Sequence, residues 1–352
     1  MEDLSRRHML ATLGGVAASA LLPGIASTAE PVHRIDVHHH FLPQPYMKEE
    51  HERLASYTHS APASALLSWN PQKSLEDMDA NGIAMSFGSI STPGTWYGDV
   101  AASRRLSRVW NDAAAEAIRD HPGRFGVFAT VAPPDNEGAL KEIEYALDTL
   151  KADGIGLLSN YDGKSLGDKS FAPVLDELNR RKAIVYVHPT VSTCCANLIP
   201  GVIPQRIEFP LDTTRTITSL LFTGTFARLP DIRWIFSHGG GTLPFLAARI
   251  AEMEKQKEVA ERNPKGLNFE MKKLYYDTAS AASKPQLAAM LAYIPPSHIL
   301  YGSDYPFVKT DEGIEGLEHY RLSQHMRTAI DHDNAAMLLA RVRSRDRSAK
   351  AG

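Results

Sequence analysis

Ile35-Asp36-Val37-His38-His39-His40-Phe41 is the stretch from which the rest of the chain is read. It is short, opens on apolar residues and ends in three imidazoles, as a buried strand does when its last residues reach a functional surface. Residues two apart in a strand face the same way. His38 and His40 therefore share one side and can grip one ion, while His39 points elsewhere. Three more strand-like runs end in the same kind of residue: Val185-Tyr186-Val187-His188, Trp234-Ile235-Phe236-Ser237-His238-Gly239-Gly240-Gly241 and Tyr301-Gly302-Ser303-Asp304.

Outward from these four runs, the whole chain alternates. Strands are expected at Arg34–Phe41, Ala84–Ser91, Phe125–Val131, Gly154–Asn160, Ala183–His188, Arg233–His238, Leu274–Thr278 and Ile299–Asp304. Near-continuous apolar runs such as Ala183-Ile184-Val185-Tyr186-Val187 fit parallel strands covered on both faces. Between them, apolar residues recur at helical spacing in Ala102–Arg119, Glu137–Lys151, Thr213–Arg228 and Leu243–Lys255, with Asn136 placed to cap the second. Eight strands alternating with helices predict an α/β fold, a (β/α)₈ TIM-type barrel, whose sites form at the carboxyl ends of its strands. The chain divides into residues 1–29, a barrel domain over 30–342 with an insertion near 45–71, and a flexible basic tail, 343–352. A second irregular stretch, Val191–Pro210, follows the fifth strand. Long loops there shape substrate pockets.

Of the 352 residues, 43% are hydrophobic and 22% charged, ordinary for a globular protein with a sizeable core. The formal net charge of -3 gives no footprint for nucleic acid or an anionic membrane. The two cysteines, Cys194 and Cys195, are neighbours and read as free thiols, because adjacent Cα atoms lie closer than an ordinary disulfide prefers. Ser5-Arg6-Arg7-His8-Met9-Leu10, the apolar run to Ala26 and Ser27-Thr28-Ala29 are similar to a twin-arginine export signal. That predicts a periplasmic or secreted protein with no membrane span in its mature form, or a cytoplasmic one if the signal is not used. Export of folded proteins by this route suits an enzyme that loads a metal before leaving the cytoplasm.

Imidazoles together with a carboxylate suit a borderline divalent ion, zinc first and manganese as the alternative, with a coordination position left for water or substrate. Singly, each residue has a structural reading: a histidine ending a strand is often a hydrogen-bonded core residue, and an aspartate before a turn is often a cap. The joint pattern carries the metal reading. His-x-His on strand one, His on strand five, His on strand six and Asp on strand eight resembles the amidohydrolase superfamily. IDVHHHFLP, VHPT, FSHGGGTLPF and YGSDYPF resemble its amidohydrolase-related decarboxylase branch, which includes aminocarboxymuconate-semialdehyde, γ-resorcylate and 6-methylsalicylate decarboxylases. The resemblance runs from about Arg34 to Leu339. It implies one metal ion held by His38, His40, His188 and Asp304. His238 then serves as acid/base, with Asp304 as proton donor in the o-hydroxybenzoate enzymes, and relatives form homodimers or homotetramers. The fourth strand has no lysine, which binuclear members carry, so one ion is expected.

Two chemistries fit this set. One is nonoxidative decarboxylation of a small aromatic or conjugated carboxylic acid; the other is metal-dependent hydrolysis of an ester, lactone or amide. A catalytically silent metal-binding barrel is the third reading. Phe41, Trp69, Trp96, Tyr305 and Phe307 lie near the mouth loops and could wall a flat pocket, and Arg215 could meet a carboxylate. Ser91-Thr92-Pro93-Gly94-Thr95-Trp96 and Glu208-Phe209-Pro210-Leu211-Asp212-Thr213-Thr214-Arg215 look most like the 6-methylsalicylate group. Leu66–Pro71 lacks the substrate-binding arginine of the aminocarboxymuconate-semialdehyde enzymes, and His38 stands where the γ-resorcylate type has glutamate.

Overall fold

The apolar runs do become parallel strands. The computed structural model describes residues 34–57, 66–196 and 198–351, so the expected export signal lies outside the described residues. Eight strands form the barrel: β1 (Arg34–His40), β2 (Ile83–Ser89), β3 (Phe125–Thr130), β4 (Gly154–Leu158), β5 (Ile184–His188), β6 (Arg233–Phe236), β7 (Tyr275–Asp277) and β8 (Ile299–Leu300). Each pairs in parallel with the next. The seam between first and last is closed by Val37 N–H to Tyr301 O (3.0 Å), Asp304 N–H to His38 O (2.8 Å) and His40 N–H to Tyr305 O (2.8 Å). Beyond Leu300 the chain leaves regular strand geometry, and at Asp304 it adopts a left-handed φ of 65°.

Alternation sorts the side chains into two layers. Ile35, Val37, Met85, Phe87, Phe128, Ile184, Tyr186, Ile235 and Leu300 fill the barrel interior. Val185, Val187, Trp234 and Phe236 face the helices instead. The aromatic rings of Phe87, Phe128 and Tyr186 stack in series, with centroids 5.6 and 5.1 Å apart, and form the floor on which the polar site rests. In β1 the parity changes: Val37 belongs to the interior layer, yet its neighbour His38 also faces inward, edge-on to Tyr186. The register irregularity between Asp36 and His39 allows this, since a bulge re-aims the residues after it.

Helices cover the outside. The longest, Val100–Asp120, is capped by the Asp99 side chain and buries Leu106, Trp110 and Ala114. Asp135, not Asn136, caps the next helix, Asn136–Glu144, because its carboxylate accepts from Gly138 N–H. The expected insertion holds a helix, Gln44–Tyr57, and then Pro71–Ala80, capped by Asn70. Ala335, Leu338, Leu339 and Val342 plug the barrel end opposite the site, and Arg341 pairs with Asp153 at 2.8 Å. The expected flexible tail is helical, within Ala340–Ala351, because this plug anchors its start. Cys194 and Cys195 are joined in a vicinal disulfide, contrary to the free-thiol expectation. The turn closed by Cys195 N–H to Ser192 O carries both sulfurs. Among the described residues no helix is long and apolar enough to cross a membrane.

Gly302 marks how tightly the seam is packed, since a Cβ there would lie 2.7 Å from His38 Cβ and 3.1 Å from Asp277 Cβ. Gly302→Ala is expected to cost about 1–3 kcal/mol, the usual range for overpacking. Urea unfolding checks this, and a midpoint equal to the parent's would show that the seam can give.

Candidate metal centre

Four side chains from three strand ends, two of them from β1, meet at the mouth. His38, His40, His188 and Asp304 each offer a ligand atom, all within 4.8 Å of one another, and all four are buried. Each imidazole is aimed by a hydrogen bond from its far nitrogen. His38 Nδ1 is 3.0 Å from Asp277 Oδ2, His40 Nδ1 is 3.2 Å from Ser89 O, and His188 Nδ1 is 2.8 Å from Pro189 O. With those Nδ1–H groups donating, the three Nε2 lone pairs are left free to bind a cation. The Nε2 atoms of His38 and His40 are 3.1 Å apart, and Asp304 Oδ1 lies 3.3 and 3.2 Å from them. Ligands ~2.1 Å from a common ion and about 95° apart have this separation, so the donor set fits a divalent ion.

Charge tells the same story. Burial disfavours a charged His38, but Asp277 and Asp304 outweigh it and raise the imidazole to about 10. Burial also pushes Asp304 upward, yet the charge of His38 and hydrogen bonds from His238, His38 and His40 hold it well below the usual carboxylate range. His40 is lowered, chiefly by burial, and His188 is driven well below its ordinary value by burial and the neighbouring histidines. His40 and His188 thus stay neutral, as metal ligands must, while a proton on His38 balances the carboxylates, and a metal ion would take the place of that proton and free the third Nε2.

His238 completes the cluster. Its Nε2 is 3.3 Å from Asp304 Oδ2, and its buried Nδ1 has no hydrogen-bond partner among the described residues. Its backbone is fixed from behind by the amide, which donates to Asp277 Oδ1 at 3.0 Å. His238 and Asp304 both sit at positive φ, 54° and 65°. Such conformations cost of order 1–3 kcal/mol each and persist where surrounding structure imposes them. Here the imposition comes from Asp277 and from the β1 seam.

Asp277 was absent from the residues singled out in the sequence, although it organises two of them. It receives His38 Nδ1–H, the His238 and Ala279 amides, and Tyr186 OH at 3.3 Å. Its position at the end of the expected seventh strand was the available signal. Asp36 plays a parallel role one layer out, holding His39 Nδ1 at 3.1 Å and Ser303 Oγ at 2.6 Å. His39 does point away from the ion site, bonded to Ser74 and stacked on Tyr305.

The cluster opens into a cavity of about 310 Å³. His188, His238 and Asp304 line its inner end, with Phe209, Phe307, Ile203, Arg206, Ser280 and Gln286 among its other walls. Phe307 is the one expected wall residue that the structure brings here, its ring 5.2 Å from that of His40. The other five lie elsewhere. Phe41 follows His40 and so faces the opposite side, against Trp69 and Phe125. Trp69 is buried with its Nε1 on Ser74 Oγ. Tyr305 turns outward from Asp304, its hydroxyl on Lys73 O. Trp96 bonds Asp162, and Arg215 is occupied by Glu208 and Asp212 on its own helix. Phe209, Ile203 and Arg206 belong to the irregular loop after β5 and the helix it feeds, where no periodicity shows which side chains turn inward.

Known proteins fall into line with this geometry. A decarboxylase of Aspergillus niger, yanB, is 34% identical over 328 residues, 88% of each chain. The 6-methylsalicylic acid decarboxylase of Penicillium expansum is 33% identical over 328 residues, covering 88% of this chain and 97% of that one. In the solved 5-carboxyvanillate decarboxylase of Novosphingobium aromaticivorans, complexed with manganese and a nitrobenzoic acid, 22% of residues are identical. It covers 88% of this chain and 96% of that one, and its TM-score of 0.77 shows the shared fold. With the Amidohydro_2 family matching residues 35–341, the described barrel almost end to end, this chain belongs to the amidohydrolase family.

Proposed function

We propose that the chain is a metal-dependent, nonoxidative carboxy-lyase acting on a small aromatic acid of the o-hydroxybenzoate class. One observation carries the reading: Asp304 is shared. Its Oδ1 faces the His38–His40 pair while its Oδ2 faces His238 at 3.3 Å, at the inner end of a cavity walled by Phe209 and Phe307. The relatives named decarboxylases support the same chemistry.

In such a reaction the bond between ring carbon and carboxylate breaks, carbon dioxide departs, and the ring carbon takes a proton. Asp304, held ionised, has no proton of its own to give. A proton taken up from solvent by His238, making it an imidazolium, therefore passes from Nε2 to Oδ2, and Asp304 delivers it to the ring carbon, leaving His238 neutral and Asp304 ionised again. His38, His40, His188 and Asp304 would hold the ion, whose positive charge would be set opposite the acidic oxygens of the substrate. Zinc suits this donor set, and manganese, present in the solved 5-carboxyvanillate decarboxylase, is the alternative. We further take the protein to be a homodimer or homotetramer, which light scattering measures directly.

Incubation of the metal-loaded protein with hydroxybenzoates and with lactones tests the reaction. Carbon dioxide is expected from the former; acid release from the latter alone would make it a hydrolase. His238→Asn is expected to keep its ion and lose ~10²-fold in turnover, the usual scale for an acid/base group. Full activity in that variant would remove His238 from the proton path. Asp277→Asn, which preserves one acceptor oxygen, is expected to weaken metal binding by about 10- to 100-fold, as loss of a ligand-orienting partner does. Chelator competition on elementally analysed protein measures this, starting from one ion per chain. Residues 1–29 are proposed to direct export. Arg6→Lys with Arg7→Lys should then leave the protein in the cytoplasm, and its appearance in the periplasm would defeat the assignment.

A further inference from the structure

We propose that Arg206 is the residue by which this site selects acids: at the cavity mouth its guanidinium captures the carboxylate of the incoming substrate. The inference rests on the carboxy-lyase reading and adds a specificity-determining residue to it.

Arg206 is the one lysine or arginine among the described residues lining the cavity, and it is solvent-exposed. No ion pair or hydrogen bond among the described residues engages its guanidinium, whereas Arg215, nine positions on, is held by Glu208 and Asp212. Its backbone is nevertheless placed. Arg206 ends the Pro204–Arg206 turn, with its amide on Ile203 O at 3.1 Å, and the chain enters the Glu208–Phe222 helix directly afterwards. Phe209 in that helix's first turn lines the same cavity and meets the His188 ring at 5.9 Å. The cation is therefore tethered to a wall of the pocket while its side chain reaches solvent.

The electrostatics explain why a cation is wanted there. The molecule carries a formal net charge of -3, and Arg206 is the cationic side chain among the cavity's described lining residues. An approaching aromatic acid meets a molecule of like net charge, and a positive rim offsets it. The chemistry explains why the cation stands at the rim and not at the inner end. A carboxylate loses its charge as carbon dioxide forms, so a guanidinium clamped on the departing group would hold the ground state more strongly than the transition state. Arg206 captures and releases; its contribution falls on KM and on salt dependence, not on the chemical step.

The test compares the metal-loaded full chain with Arg206→Gln and Arg206→Lys. Steady-state rates on a hydroxybenzoate are measured from low to high salt, and binding of benzoate and of neutral benzamide by calorimetry. For Arg206→Gln, KM is expected to rise roughly tenfold at low salt, with kcat held and the salt dependence flattened. Benzoate binding weakens with it while benzamide binding stays put, and Arg206→Lys keeps the parent's behaviour. The proposal is overturned if KM and its salt dependence are unaltered, if kcat falls in step, or if benzoate and benzamide weaken equally, which marks a role in shape alone. If no carbon dioxide is released by any variant, the carboxy-lyase reading fails, and the calorimetric pair still decides what Arg206 does.

Discussion

Three imidazoles can face one point in a buried cavity only if none of them is free to turn. That constraint governs this structure. Each ring is pinned through the nitrogen that does not face the site, by a carboxylate on β7, by a carbonyl at the end of β2 or by the carbonyl of the next residue. The Asp277–His38 contact is the most consequential, because the same carboxylate also fixes His238 through its backbone. One side chain thereby sets both a ligand and the acid/base residue, and burial among Tyr186 and the seam strands keeps water from competing for it.

Much of this geometry could be read in the sequence, and the reason is specific. A barrel collapses the three-dimensional problem onto strand ends, so residues that end strands are neighbours whatever their separation in the chain. His38, His188, His238 and Asp304 obey that rule, and so does Asp277, one residue short of the expected strand's end at Thr278 and the last residue of β7. The period of two also explains Phe41 and Tyr305. Standing next to an inward residue is what turns them outward, so closeness to a ligand in sequence was the wrong guide to the pocket wall.

The remainder was not legible because it rests on irregular backbone. The parity change between Val37 and His38 comes from a register irregularity with no sequence signature. Phe209 and Arg206 reach the cavity through a loop whose path is set by a turn at Pro204 and by tight packing at Gly241, where a Cβ would lie 2.0 Å from Pro210 O. Left-handed conformations at His238 and Asp304, both non-glycine, are likewise imposed by tertiary contacts and run against local preference.

The first and last strands meet at the seam. Asp36 and Ser303, 267 positions apart, bond across it, and the two ends of the ligand set lie on either side. An ion held there is a removable cross-link around nearly the whole barrel, engaging only the closed form. By mass action its binding tightens closure and closure tightens its binding. Occupancy of the site and integrity of the fold are then one equilibrium, so an unclosed barrel offers no complete reactive centre.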